Sequence, residues 1–302
     1  MLANRLKPGD TIGVIAPDKA LYKEDRVYLE NATKFFESIG LKVKFGKYLF
    51  SDKEYCAGTP LQRAKDLNDM FSDKEVKAIF TIKGGNMANG VLPYIDYENI
   101  KKNPKIFLGY SDITVLLCAI NKMTDLITFH CQDYTWFGKD DVTDYDKNEI
   151  IEKLFHGNNT IIPYDNREFY NFTEKRSGKI YGTNLRCLLK LAGTQYMPDL
   201  KDSVLFLEGY HSDIIEWNSM LEQLNQMVVL TNAVVFGYIY QLQFAENNKY
   251  DIVKELRKIN ANIPVVKTND FGHKHANSII PIGANVTIDE NEKSIIVNDY
   301  LI

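Results

Sequence analysis

The chain has 302 residues, of which 45% are hydrophobic and 25% charged, as in an ordinary globular protein that is large enough for two domains. Its formal net charge of −4 argues against nucleic acid or an anionic membrane as a main partner. The N-terminus has no signal-peptide pattern and no run of about 18 apolar residues occurs, so we expect a cytoplasmic protein.

The first half of the chain alternates short apolar runs with segments of helical periodicity. Because strand and helix alternate, this pattern indicates a parallel sheet with helices on both faces, and we predict a Rossmann-like α/β domain over residues 1–155. The predicted strands are 11–16, 41–45, 76–82 and 105–108, and the predicted helices are 25–38, 63–71, 88–93 and one from residue 113.

After about residue 150 the sequence becomes polar and rich in turn residues. We predict a linker over 156–175 and a second domain, β-rich and of α+β type, over 176–302. Its predicted helices are 184–193 and 213–227, its predicted strands are 203–207, 233–240, 263–267, 286–288 and 294–297, and turns are expected around 281–284.

The cysteines and histidines do not form a metal-binding pattern. The four cysteines are scattered without a C-x-x-C pair, so neither a zinc site nor a disulfide framework is predicted. Cys118 and Cys187 lie in apolar helical patterns and are expected to be buried. His273 and His275 are two residues apart, which suits one face of a strand rather than a helical ligand pair. We predict no metal and no cofactor.

A serine stands at a sharp predicted turn. The sequence Gly109-Tyr110-Ser111-Asp112 lies between the strand 105–108 and the helical run 113–120. Such a turn lifts a hydroxyl out of the carboxyl edge of a sheet and places the next backbone N–H, that of Asp112, at a helix N-terminus, where an oxyanion is stabilised. The spacing differs from the usual G-x-S-x-G pattern, because Ile113 stands at the position of its second glycine. On local sequence alone such a serine more often caps a helix, and a nucleophilic serine is the alternative.

A pair of glycines, Gly84-Gly85, follows the predicted strand 76–82. The pair indicates either a backbone site for an anion or a plain tight turn, because neither dinucleotide nor P-loop spacing is present. The carboxyl ends of parallel strands open into one crevice, so we expect these glycines near Ser111.

A carboxylate and a histidine complete the candidates. Glu208 follows the apolar run 204–207, where it is either a functional acid or a solvated charge at the end of a strand. His273 lies in a turn-like segment, and His275 is the local competitor for its role.

Together these residues resemble the LD-carboxypeptidase family of serine peptidases, which includes murein LD-carboxypeptidases and microcin-C immunity peptidases. The resemblance extends from Gly9 to Asp289. Among the segments that carry it, in chain order, are Gly84-Gly85, Leu92-Pro93-Tyr94, Gly109-Tyr110-Ser111-Asp112, Thr128-Phe129-His130, Leu205-Phe206-Leu207-Glu208, Phe271-Gly272-His273 and Pro281-Ile282-Gly283-Ala284.

The resemblance implies a Ser–His–Glu triad with Ser111 as nucleophile, His273 as base and Glu208 as acid. It further implies oxyanion donors at the N–H of Asp112 and in the Gly-Gly loop, which we assign to Gly85. A homodimer is also expected by resemblance.

The surroundings of the triad depart from the murein enzymes. Lys83 replaces a common arginine, and the loop after the glycines is closer to the microcin-type branch. We expect Asn86 and Met87 of this loop to contact substrate. Trp136 and Phe137 are expected to pack in a core or interface, with stacking on a substrate ring as the alternative.

The expected function is that of a cytoplasmic hydrolase, a serine carboxypeptidase that cleaves the LD-peptide bond before a terminal D-amino acid in murein peptides, as in peptidoglycan recycling. One alternative is a microcin-C-type immunity peptidase that cleaves an aminoacyl-nucleotide amide bond. A second is a non-catalytic binding protein for a small ligand. The expected partner is accordingly a small peptide or peptidyl-nucleotide substrate.

Overall fold

The computed structural model describes residues 1–53, 55–210, 213–227, 231–243, 251–259 and 262–302. Its strands within these ranges are β1 (Thr11–Ile15), β2 (Lys42–Phe45), β3 (Asp52–Lys53), β4 (Cys56–Ala57), β5 (Val76–Thr81), β6 (Ile106–Gly109), β7 (Thr128–His130), β8 (Glu168–Tyr170), β9 (Arg176–Asn184), β10 (Val204–Gly209), β11 (Ala233–Ile239), β12 (Val265–Gly272), β13 (Ile280–Ile282), β14 (Asn285–Asp289) and β15 (Ser294–Val297).

The α-helices of the described residues are α1 (Arg26–Ser38), α2 (Pro60–Ser72), α3 (Tyr97–Lys102), α4 (Thr114–Thr124), α5 (Asp144–Glu149), α6 (Leu185–Leu189), α7 (Ile214–Met227), α8 (Tyr240–Gln243) and α9 (Ile252–Ile259). Short 3-10 segments occupy Lys23–Asp25, Ala88–Tyr94, Ser111–Ile113 and Tyr134–Gly138, and a π-helix occupies Ile150–His156. Among these residues, no helix combines the length and the apolar character needed to cross a bilayer.

The first sheet has the strand order β13-β7-β6-β5-β1-β2, in which all strands except β13 run parallel. Five of the six residues of β5 are buried, as expected for a strand that is covered by helices on both faces. The order of the strands reverses at β1, because β2 lies on one side of it and β5 on the other. A crevice therefore opens at the carboxyl ends of β1 and β5, where doubly wound sheets bind ligands. The predicted parallel α/β sheet is confirmed.

Helix α4 lies between the two sheets. It contacts β6 and β7 on one side and β9 and α6 on the other, and nine of its eleven residues are buried. A helix that is apolar on nearly all sides is stable only inside a protein. The predicted helix from residue 113 therefore joins the two halves of the fold and begins beside Ser111.

The second sheet has the order β15-β14-β9-β10-β11-β12-β8. Its central strands β9, β10, β11 and β12 are parallel, while β8, β14 and β15 add antiparallel edges. The mixed α/β class with a β-rich second part is confirmed, and the parallel centre is an addition to the prediction.

Several local predictions need correction. A strand, β8, lies within the predicted linker 156–175 and pairs with β12. Of the turns expected around 281–284, residues 281 and 282 belong to β13, which pairs with β7 of the first sheet, while residues 283 and 284 form a turn as predicted. Pro281 is compatible with β13 because an edge strand leaves one side without ladder hydrogen bonds. The helix predicted over 184–193 ends already at Leu189. The domain boundaries 1–155 and 176–302 stay a prediction.

Candidate active site

Ser111 lies where the chain leaves β6 and turns toward α4. Its backbone has φ of 58°, in the left-handed region that non-glycine residues seldom adopt. Such a conformation is sustained only when the surrounding structure holds it, and it is concentrated at functional sites. The turn directs the Ser111 hydroxyl toward His273, whose Nε2 lies 3.0 Å from the serine Oγ.

His273 directly follows β12 and is held by a hydrogen-bonded turn. Asn277 accepts the N–H of Gly272 at 2.8 Å and donates to its carbonyl at 2.9 Å, so the residue before the histidine is fixed from both sides. The imidazole stacks on Tyr210, with ring centroids 4.6 Å apart and an interplanar angle of 10°. The other neighbour is Tyr110, with its ring centroid 4.5 Å away.

Glu208 is part of β10 and is fully buried, so it is not a solvated charge at the end of a strand. Its Oε2 lies 2.6 Å from His273 Nδ1, and its Oε1 accepts a hydrogen bond from Asn184 Nδ2 at 3.0 Å. Asn184 is fixed in turn because its Oδ1 accepts the N–H of Cys187 at the start of α6. A carboxylate can only accept here, so the proton of a neutral imidazole is on Nδ1 and Nε2 faces Ser111 as an acceptor.

The electrostatics favour an ionised carboxylate. Burial raises the pKa of Glu208, but the charge and hydrogen bond of His273 and the hydrogen bond from Asn184 outweigh it and leave the pKa below its ordinary value. A second histidine, His130, is also near; burial lowers its pKa to about 4, and it is therefore neutral near pH 7. His130 contacts Thr183 Oγ1 at 2.7 Å and Asn277 Oδ1 at 3.1 Å, which links the first sheet to the His273 turn.

The glycines after β5 lie against the Ser111 turn. A Cβ at Gly84 would be 2.9 Å from Ser111 Cβ and 3.2 Å from the backbone N of Asp112, so a side chain would crowd both groups. In the described part of the chain, neither the N–H of Asp112 nor that of Gly85 donates a hydrogen bond. Both donors are therefore free for an oxygen atom bound near Ser111.

These groups line a cavity of about 520 Å³. Three cations contribute to its wall: Lys19, Lys83 and Arg186. Lys83 forms an ion pair with Asp25, and Arg186 pairs with Glu216 at 2.5 Å. The remaining lining residues are Tyr22, Gly84, Gly85, Asn86, Tyr110, Ser111, Asp133, Asn184, Cys187, Tyr210 and His273.

The other residues singled out from the sequence lie outside the cavity. The side chain of Met87 is 41% exposed, and that of Asp112 is buried beneath the loop, so only the backbone of Asp112 faces Ser111. Trp136 and Phe137 are buried; Trp136 Nε1 donates to Asp146 at 3.3 Å, and Phe137 stacks on Phe35. This packing agrees with the core role expected for both aromatic residues.

His275 and three of the four cysteines lie outside the cavity wall, whereas Cys187 is part of it. The His275 ring packs on Tyr164 and Tyr238, and it is absent from the cavity wall. The four cysteines are all free and buried, as predicted for Cys118 and Cys187. In the part of the chain that the structure describes, no group of three or more His, Cys, Asp or Glu residues is arranged to hold a metal ion.

Comparison with known proteins gives the same family for both halves. The family model described as the LD-carboxypeptidase N-terminal domain matches residues 12–131, and that of the LD-carboxypeptidase C-terminal domain matches residues 177–288. A Bacillus subtilis protein named "probable murein peptide carboxypeptidase" is 34% identical over 97% of this chain and 92% of its own length.

The chain is also similar to a protein of microcin self-immunity. The microcin C7 self-immunity protein MccF of Escherichia coli is 27% identical over 100% of this chain and 97% of its own length. The solved structure of MccF with aspartyl sulfamoyl adenosine superposes with a TM-score of 0.90 at 26% identity and covers 100% of both chains.

Proposed function

We propose that this chain, which belongs to the LD-carboxypeptidase family and is a serine peptidase, removes a terminal D-amino acid from murein peptides. The proposed catalytic groups are the triad Ser111–His273–Glu208. The observation that carries the proposal is the continuous hydrogen-bond chain of 3.0 Å and 2.6 Å from the serine through the histidine to the buried glutamate. A hydroxyl is a weak nucleophile until a base takes its proton. The hydrogen bonds from Glu208 to Ser111 provide His273 as this base, in the required tautomer.

In the proposed reaction Ser111 Oγ attacks the peptide carbonyl while His273 Nε2 takes the hydroxyl proton. The carbonyl oxygen becomes an oxyanion that the N–H groups of Asp112 and Gly85 stabilise. His273 then gives its proton to the leaving amino group, and the D-amino acid departs. Water, activated by the same imidazole, hydrolyses the acyl-enzyme and restores the serine. Glu208 stabilises the imidazolium throughout.

The charge of the cavity suits a substrate that ends in a carboxylate. Lys19 lines the wall and, in the described part of the chain, forms no ion pair, whereas Lys83 and Arg186 have acidic partners. An ammonium without an acidic partner, in the wall of the cavity that also holds Ser111, favours the carboxylate of a terminal residue, although the carboxyl group of Asp133 lines the same wall. We assign this carboxylate to the released D-amino acid.

A second candidate function is the hydrolysis of an aminoacyl-nucleotide amide bond. The observation in its favour is the close superposition on MccF in complex with aspartyl sulfamoyl adenosine. Burial of Trp136 and Phe137 removes the stacking surface that the sequence offered for a nucleotide base. We therefore keep the murein peptide as the first candidate.

The test uses two substrates and one nucleophile variant. Murein tetrapeptide, its diastereomer with a terminal L-alanine, and a processed microcin C analogue are each incubated with the protein, and the products are followed by mass spectrometry. We expect release of D-alanine from the first alone. Ser111→Ala should lose many powers of ten in kcat, about six in the best-studied serine protease, whereas Ser177→Ala on the exposed side of β9 should keep the wild-type rate.

A fluorophosphonate probe gives a readout that does not depend on the natural substrate. It should label Ser111 in the wild type and in Ser177→Ala and leave Ser111→Ala unlabelled. Turnover of the tetrapeptide by Ser111→Ala at more than a tenth of the wild-type rate would remove Ser111 from the mechanism. A preference of more than tenfold for the microcin analogue would make the second candidate the function.

A further inference from the structure

Two buried carboxyl groups lie beneath the loop of residues 84–88, outside the groups that the proposed reaction uses. Asp18 follows β1 and Asp112 follows Ser111, and both side chains are fully buried. They accept hydrogen bonds from the N–H groups of two consecutive loop residues, so the two carboxyl groups lie next to each other. Two adjacent buried carboxyl groups repel each other when both are ionised, which favours a proton on one of them.

Both carboxyl groups hold the backbone of the 84–88 loop. The N–H of Met87 donates to Asp18, with 3.2 Å to each oxygen, and the N–H of Ala88 donates to Asp112 Oδ2 at 2.9 Å. A Cβ at Gly85 would be 2.6 Å from the Asp18 carboxyl, so this carboxyl directly underlies the proposed oxyanion donor.

Two cations, the buried Arg63 and the partly exposed Lys190, hold the carbonyl groups of the same loop. Arg63 Nη1 donates to the Met87 carbonyl at 3.0 Å and to the Pro17 carbonyl at 2.7 Å. Lys190 donates to the Asn86 carbonyl at 3.1 Å and forms an ion pair with Asp112. The loop is thus fixed by four ionisable side chains, none of which hydrogen-bonds to Ser111.

We propose that Asp18 is a positioning residue, which holds the 84–88 loop over Ser111 by sharing a proton with Asp112. The inference rests on the proposed function, because the loop matters through the Gly85 N–H that receives the oxyanion. With the proton present, Asp18 is neutral, and the two carboxyl groups accept hydrogen bonds from the N–H groups of Met87 and Ala88. Without it, two carboxylates repel each other directly beneath the place where the oxyanion forms, which both loosens the loop and opposes that charge.

The surroundings decide which carboxyl group holds the proton. Asp112 faces Lys190, the Ala88 N–H and the Cys187 thiol, and these contacts favour its ionised form. Burial and the neighbouring Asp112 raise the pKa of Asp18 to about 7, against the opposing effects of the Met87 N–H and Arg63. The buried thiol of Cys56 on β4 also interacts with Asp18, and burial raises the pKa of this thiol. The proton is therefore lost near and above neutral pH.

Asparagine at position 18 imitates the protonated acid. Its amide nitrogen can donate to Asp112 and its amide oxygen can accept the Met87 N–H, and neither group titrates. Asp18→Asn should therefore keep the wild-type rate of fluorophosphonate labelling of Ser111 below pH 7 and exceed it several-fold at pH 9. Asp18→Ala, which releases the loop, should lower the labelling rate and kcat about a hundredfold at every pH, with KM nearly unchanged, as for loss of an oxyanion donor.

A second readout does not require activity. An acid whose pKa is raised by folding stabilises the folded state below its unfolded pKa, and this contribution is lost as pH rises through the folded pKa. From about pH 4 to pH 7 the stability of Asp18→Asn should therefore increase relative to wild type. The matched control, Asp69→Asn on the exposed face of α2, should follow the wild-type profile in both assays.

The outcomes separate this inference from the proposed function. If the wild type does not label at Ser111, the proposed function fails first. If Ser111 is labelled but Asp18→Asn and wild type have superimposable pH profiles from 6 to 9.5, the shared proton is disproved. If Asp18→Ala unfolds, Asp18→Asn alone decides the question, because it keeps the shape and the hydrogen bonds of the carboxyl group.

Discussion

Replacement of Glu208 by glutamine tests the proposed triad most sharply, because the change is isosteric and the site is fully buried. Glu208 accepts two hydrogen bonds, from Asn184 Nδ2 and from His273 Nδ1. A glutamine amide offers one acceptor and one donor to the same two partners. Asn184 cannot reverse its amide without losing the bond from Cys187 N–H to its Oδ1, so it remains a donor.

Each orientation of the glutamine amide has a distinct consequence. If the glutamine oxygen faces Asn184, the glutamine NH₂ faces His273 Nδ1 and forces the imidazole proton onto Nε2. The protonated Nε2 can then no longer accept the hydrogen bond from Ser111. If the oxygen faces His273, two NH₂ groups oppose each other in a buried site, which costs about 1–3 kcal/mol. Both orientations lose the charge that stabilises the imidazolium, and the matching asparagine change in a serine protease lowers kcat about 10⁴-fold.

The assay is the kcat for D-alanine release, with the unfolding midpoint in urea as the measure of stability. We expect kcat of Glu208→Gln to fall about 10³- to 10⁴-fold, together with a small loss of stability. Glu174→Gln, which changes an exposed carboxylate paired with Arg176, is the control and should be indistinguishable from wild type. A Glu208→Gln enzyme that keeps more than a tenth of wild-type kcat would refute the triad.

The remaining predictions concern the competing histidine and the buried tryptophan. His273→Ala should abolish turnover and His275→Ala should leave it largely intact, because the His275 ring packs on Tyr164 and Tyr238 away from the cavity. If kcat is instead lost in His275→Ala and kept in His273→Ala, His275 is the base. Trp136→Ala should lower the free energy of unfolding by about 3–5 kcal/mol in urea titrations and leave kcat of the folded enzyme near wild type. A selective loss of nucleotide-substrate turnover in Trp136→Ala, at unchanged stability, would restore the stacking hypothesis.

The helices and strands were predictable where a single segment carries a long apolar run or several turns of helical periodicity. The apolar run of β5 and the periodicity of α1 and α2 identified these elements to within a few residues. The short edge strands β8 and β13 have three residues each, and β13 contains a proline, so their own sequence does not distinguish them from turns. They become strands because a neighbouring strand, β12 for β8 and β7 for β13, offers unpaired backbone groups.

The candidate site was predictable to a similar extent. The order of serine, glutamate and histidine along the chain, together with the family resemblance, selected three side chains that the structure brings within hydrogen-bond distance. Asn184, Asn277 and Asp18 were missed as site residues because their contacts join positions far apart in sequence. The one local signal was Asn184 before an apolar helical run, which is typical of an N-cap. For Met87, sequence proximity to the glycines suggested a substrate contact, but the side chain lies outside the cavity.

The pairing of β13 with β7 also has a consequence for how the chain is made. Ile280 lies opposite His130, so the first sheet, which begins with Thr11, receives its last strand only 150 residues after the strand that it pairs with (280 − 130). Until then the far edge of β7 has no partner, and sheet edges of this kind recruit strands from other chains. A nascent chain can assemble most of the nucleophile-bearing sheet, but it closes that edge at nearly the same moment as the histidine turn emerges.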